Sequence, residues 1–231
     1  MKQNWEVWVG LMGTALLVWS HYCGLFVAPP EAMMGDVGRI LYAHVPTAWV
    51  GLLTYLVAFI AAIGALVTGK AAWDAMVEAS VEVGLLLNAL LLIQGSLWAK
   101  PTWGVYWTWD PRLTTCAIMV VAFGVVLALR RQIDEPARRL TMSSVATIVA
   151  FVNVPIVYMS VKWWRTLHQP YSSPDTVDSE MTFYLRVAAF GMLFLATGFV
   201  VSRWRIGLNN LRIQFEAPDL PDAPQPLTVE D

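Results

Sequence analysis

The chain has 231 residues, of which 57% are hydrophobic and only 14% charged, with a formal net charge of −2. A soluble domain is closer to a quarter charged, so an ordinary soluble globule is excluded. No basic patch is interleaved with aromatics, which excludes nucleic-acid recognition; what fits is a one-domain, all-α polytopic membrane protein.

Residues 7–27 form the first apolar run. Its length matches the ~20 residues of a spanning helix rather than the ~7–15 of a signal peptide's apolar region. After Pro29 and Pro30, residues Met33, Val37, Leu41 and His44 recur at helical spacing. They predict a short amphipathic helix against the membrane face, with His44 on its apolar stripe. The second span is 47–67, followed by a polar connector, 68–80, that holds Lys70, Asp74 and Glu78. The third span, 81–98, contains Glu82, Asn88 and Gln94, so one of its sides is expected to face protein rather than lipid.

The fourth span is 113–129. Residues 130–139, RRQIDEPARR, are the most charged stretch, and the fifth span, 141–161, is interrupted by Asn153 and Pro155. A polar connector, 162–181, carries Trp163, Trp164, Arg165 and His168, with turn chemistry at Gln169–Pro170 and Ser173–Pro174. The sixth span is 182–202. The membrane domain is therefore read as 1–205 and the proline-rich, acidic remainder, 206–231, as a disordered tail.

With both termini on one side, the segments there hold nine Lys and Arg against five or six on the other. The positive-inside rule makes that side cytoplasmic. Parity is the firmer argument. His44 follows one span, the segment 103–110 follows three, and His168 follows five. All three therefore share one face, taken as the outer one.

Segment 103–110 reads WGVYWTWD, with three tryptophans, a tyrosine and an aspartate in eight residues. Whether extended or helical, it offers a broad aromatic surface ending in a carboxylate. Indole area suits a large planar apolar ligand; an interfacial aromatic belt is the plainer alternative. Two of only three histidines flank this shelf. Neutral imidazoles ligate haem iron, so His44 and His168 are candidate axial ligands from opposite faces of the ring. Trp103, Trp107 and Trp109 would flank the macrocycle, and Arg112 or Lys100 would meet its carboxylate tails. Asp110 is grouped with these haem-site residues and is read as orienting its loop or pairing with Arg112 rather than as a catalytic acid. His21 lies within the first span and is read as an interfacial or interhelical polar residue. Cys23 and Cys116 are read as buried thiols, a disulfide between them left open. No CxxCH, nucleotide-binding glycine loop or independent catalytic motif is present.

The run WGVYWTWDPRLTT resembles the WGxxWxWDxRLT motif of the haem-handling (WWD) proteins of cytochrome c biogenesis. With HVPTAW at His44, LHQP at His168 and six spans, the chain is most similar to the CcmC (haem exporter protein C) family. That resemblance implies an inner-membrane protein that binds haem b at its periplasmic face between His44 and His168. It implies delivery to the periplasmic haem chaperone CcmE for covalent attachment, with the ABC transporter subunits CcmA and CcmB and the small membrane protein CcmD as partners. Two other readings remain: a channel subunit of an ABC exporter, for which Glu82, Asn88 and Gln94 would begin a polar path, and a bis-histidine electron-transfer cytochrome.

Overall fold

The computed structural model describes residues 4–168 and 179–216, with side chains as far as Leu211. Its helices are α1 (Trp5–Phe26), α2 (Leu41–Thr68), α3 (Ala71–Trp103), α4 (Pro111–Arg131), α5 (Pro136–Phe151), α6 (Asn153–Trp163) and α7 (Ser179–Glu216). No strand occurs among the described residues. Six segments are long and apolar enough to cross a membrane, α5 and α6 together making one of them. The protein is an all-α, multi-pass membrane protein.

Local chemistry explains where the helices start and break. Pro111 and Pro136 each open a helix, where a missing N–H costs nothing. The carboxylates before them, Asp110 and Glu135, accept from first-turn amides. The break between α5 and α6 falls where Pro155 has no N–H to give the preceding turn. There the Asn153 side-chain amide donates instead to the Thr115 carbonyl of α4 at 2.8 Å.

The main core lies among α2 to α6. Tyr55 stacks on Phe123 with ring centres 3.6 Å apart, and Ala58, Ala61 and Ala62 of α2 are all but inaccessible. Small residues there let helices approach closely, which substitutes for the hydrophobic drive that lipid does not provide. The same logic is sharpest between α1 and α7. A Cβ on Gly13 would stand 2.4 Å from the backbone nitrogen of Leu195, so only glycine permits this approach.

Opposite the histidines, the bundle closes with charge. Arg130 of α4 makes two 2.6 Å bonds to Asp74 of α3 and one of 3.0 Å to Ser143 of α5. Glu78 approaches Arg130 at 3.2 Å. Arg203 of α7 grips Glu82 at 2.6 Å, and Arg205 grips Glu6 of α1 at 2.7 Å.

Three details differ from the sequence expectation. The amphipathic helix expected from Met33 to His44 does not form. Glu31 and Gly35 bridge to close a loop whose amides from Met33 and Met34 bond the Glu31 carboxylate. A 3-10 turn, Asp36–Ile40, then runs straight into α2 and leaves His44 in its first turns. Arg39 locks this corner by donating to the Gly24 and Ala28 carbonyls at the end of α1. Next, α3 begins well before the apolar run, because Arg130 neutralises Asp74 and lets the polar connector stay helical; only Gly69 and Lys70 separate α2 from α3. Finally, α7 continues to Glu216, into the stretch read from 206 as tail. The expected turns at Gln169–Pro170 and Ser173–Pro174, and the tail from 217, lie outside the described residues.

Candidate functional site

Four elements meet at one end of the bundle: the start of α2, the end of α3, the start of α4 and the segment after α6. His44 projects from α2 and is 9% exposed, and its Nδ1 is buried with no hydrogen-bond partner among the described residues. A buried polar atom left unpaired costs roughly 1–3 kcal/mol, so it calls for a reason. His168, on the segment after α6, stands with its ring centre 6.4 Å from that of His44 and the two planes inclined by 34°. Trp98 of α3 touches both. Its ring centre is 5.9 Å from His44 and 6.3 Å from His168, edge-on to the latter. The indole nitrogen of Trp98 is also buried without a partner.

Two cavities share His44, Ala48, Trp98, Arg112 and His168 as walls. The smaller one points into the bundle and adds Leu91, Trp103, Leu113 and Cys116. The larger, about 500 Å³, is a groove between α2 and the α5–α6 crossing. Its further walls are apolar, among them Trp49, Leu52, Phe151, Val154 and Tyr158. A mostly apolar cleft with a few convergent polar groups, of roughly 300–1,000 Å³, is the usual form of a small-molecule site.

Asp110 is 7% exposed and fully engaged. Its Oδ1 accepts from the Arg112 amide at 2.9 Å and from the Thr166 hydroxyl at 2.7 Å; its Oδ2 accepts from the Leu167 amide at 2.7 Å. Of the two roles expected for it, loop orientation is what these contacts describe. The Arg112 guanidinium donates instead to the Val157 carbonyl of α6. It thereby fixes α4 against α6 while lining both cavities.

The tryptophans do not form one flat row. Trp103 ends α3 and lines the smaller cavity. Gly104 then turns the chain at φ 81°, a left-handed conformation that glycine adopts without strain. Lys100 secures this turn by donating to the Gly104 carbonyl at 2.9 Å, with its ammonium 5.4 Å from the Tyr106 ring. Beyond it Trp107 and Trp109 pack edge to face at 5.8 Å, and neither lines the two cavities. Trp109 is 82% exposed.

Sequence reasoning missed Trp98, which was assigned only to the end of a span. The available signal was helical spacing: Leu91, Gly95 and Trp98 fall on one stripe of α3. All three line the smaller cavity. Outside the site, the His21 ring bonds the Leu17 carbonyl of its own helix at 2.7 Å; Cys23 and the cavity-lining Cys116 are both free.

The family model described as heme exporter protein C matches residues 1–217. The chain is 36% identical to heme exporter protein C of Bradyrhizobium diazoefficiens over 192 residues, covering 80% of this chain and 73% of that one. It is 31% identical to heme exporter protein C of Escherichia coli K12 over 199 residues, covering 86% and 81%. It is 35% identical to a putative cytochrome c biosynthesis ccmC-like mitochondrial protein of Marchantia polymorpha over 157 residues, covering 68% and 66%. The chain belongs to the heme exporter protein C family, which handles haem for cytochrome c biogenesis.

Proposed function

From membership of the heme exporter protein C family we infer that this chain holds haem b between His44 and His168 and presents it to a periplasmic haem chaperone, CcmE, for covalent attachment. The observation that carries this is the 6.4 Å separation of the two imidazole centres, beside a His44 nitrogen that nothing among the described residues satisfies. Imidazole–metal bonds of about 2 Å on each side, with about 1 Å more from each nitrogen to its ring centre, put two axial ligands of one metal roughly 6 Å apart. The donor set fits the group: two imidazoles for iron, apolar walls for the ring and a guanidinium for its carboxylates.

The residues divide the work. His44 is held by α2, a rigid helix, and His168 by a segment tied to α4. Trp98 braces both rings. Trp103 walls the inner side, and Arg112 is the cation for the propionates. Trp107 and Trp109 form the outer rim, offering aromatic surface to a ring edge that stays open to the chaperone. When bound, the haem supplies the metal that the imidazoles ligate and the vinyl edge to which the chaperone bonds.

The same reading places the chain in the bacterial inner membrane, with the histidine end periplasmic and the arginine-rich end cytoplasmic, in keeping with the positive-inside rule. CcmA, CcmB and CcmD are its expected partners. A channel finds less support, since Glu82 is taken up by Arg203, and Asn88, which donates to the Gly84 carbonyl, is packed inside the bundle.

The test is the visible spectrum of the purified protein loaded with ferric haem. Bis-imidazole ligation gives a six-coordinate, low-spin Soret band. His44→Ala and His168→Ala are each expected to lose that band and most of the bound haem. Wild-type band position and haem content in both variants would defeat the assignment.

A further inference from the structure

We infer that Asp110 is a positioning residue: its carboxylate ties the segment bearing His168 to the start of α4 and so sets where the second imidazole stands. This rests on the reading of His168 as an axial ligand. The chain leaves α6 at Trp163 and runs without regular structure through residues 164–168. Trp164, Arg165 and Leu167 in that stretch are exposed, so apolar packing contributes little to its placement. What holds it is polar. Thr166 donates its hydroxyl to Asp110 Oδ1 at 2.7 Å, and Leu167 donates its amide to Oδ2 at 2.7 Å. The His168 amide in turn donates to the Thr166 hydroxyl at 3.1 Å, so that oxygen links the carboxylate to the ligand residue itself.

The other end of the tether is rigid. Asp110 caps α4 through the Arg112 amide, and α4 is fixed to α6 by the Arg112 side chain. A carboxylate this buried needs several donors to offset its lost hydration, and it has three. A cap alone needs one acceptor oxygen. Here the second oxygen is committed to Leu167, which only a residue with two acceptor oxygens allows. Asparagine keeps the cap but sets its own N–H against the Leu167 N–H. Groups that orient metal-ligating residues in this way commonly change ligand affinity by roughly 10–100-fold when removed.

The experiment compares Asp110→Asn and Thr166→Val with wild type and His168→Ala. Thr166→Val leaves the cap intact and serves if Asp110→Asn does not fold. In the haem-free protein, amide exchange across 164–168 is expected to rise at least tenfold in both variants, with α4 unchanged. With ferric haem, both are expected to shift from low-spin six-coordinate towards five-coordinate and to bind roughly 10–100-fold more weakly. Added imidazole is expected to restore the low-spin spectrum, as in His168→Ala. The proposal is overturned by unchanged exchange at 164–168, by exchange that rises equally through α4, or by freed exchange with a wild-type haem spectrum. If His168→Ala alone leaves the spectrum untouched, the histidine reading falls, and the exchange data still decide whether Asp110 anchors the segment.

Discussion

The Asp74–Arg130 cluster at one end of the bundle and the His44–Trp98 pair at the other handle buried polarity in opposite ways. At the arginine end, Asp74 is completely inaccessible and Arg130 nearly so, and each meets the other through paired 2.6 Å bonds. Ser143 and Glu78 complete the cluster. At the histidine end, His44 Nδ1 and the Trp98 indole nitrogen are buried with no hydrogen-bond partner among the described residues, and both residues wall a cavity of about 500 Å³. Polar groups that close on one another hold helices together. Buried polar atoms left unpaired in residues that wall a cavity call for a reason, and a ligand in that cavity supplies one. Buried polar atoms with no partner among the described residues occur at the arginine end as well, including Glu6 Oε2, Arg139 Nε and Ser144 Oγ, so it is the cavity walled by His44 and Trp98 that marks the binding end.

The largest effect is expected where that closure is broken. Arg130→Met leaves the Asp74 carboxylate buried and unpaired, a loss of roughly 3–5 kcal/mol. The variant should accumulate poorly and melt far below wild type in detergent. Adding Asp74→Leu should recover most of the loss, because two apolar residues replace the pair at little net cost. A double variant as unstable as the single one would show that the cluster does more than balance charge.

The opposite result is expected at the other end. His44→Leu removes a buried nitrogen that has no partner, which costs roughly 1–3 kcal/mol as it stands. The haem-free protein should melt at or above the wild-type temperature, while haem loading collapses. A variant destabilised as badly as Arg130→Met would mean that His44 supports the fold and would erase the distinction between the ends.

Much of this was legible in the residues. Apolar run length located the six crossings, Asn153 and Pro155 announced the broken one, and parity alone brought His44, the aromatic segment and His168 to one face. What the sequence could not carry was long-range pairing. Nothing local says that Arg130 answers Asp74 across 56 positions, so residues 68–80 read as a polar connector when they are helix from Ala71 onward. The helical spacing of Met33, Val37, Leu41 and His44 was real periodicity without a separate helix, because Leu41 and His44 already belong to α2. Glu31 captures its own loop amides, and Arg39 draws the chain back onto the end of α1. Trp98 was hidden because a tryptophan at a span end ordinarily signals an interface.

An intermediate effect is expected away from both ends. Gly13→Ala puts a methyl 2.4 Å from the Leu195 backbone nitrogen and 2.7 Å from the Gly191 carbonyl oxygen. Backbone cannot rotate aside, so α1 must lift from α7, at a cost of roughly 1–3 kcal/mol for overpacking. Melting should fall accordingly, with the low-spin spectrum of the surviving protein unchanged, because neither helix lines the two cavities.

The smallest effect on the fold is expected at Trp109. It is 82% exposed, and among the described residues its one ring partner is Trp107. Substitutions at such positions usually change stability by no more than about 0.5 kcal/mol, so Trp109→Ala should melt with wild type. Its effect on binding has a ceiling of its own. One aromatic contact is worth roughly 0.5–1.5 kcal/mol beyond its buried area, a factor of about two to ten in haem affinity. Trp103→Ala, at the cavity wall, should weaken binding more than Trp109→Ala at the rim. Haem titrations of the two variants therefore rank the tryptophans by their place in the site. Equal losses would restore the flat shelf that the local sequence suggested, with all three indoles against one face of the ring.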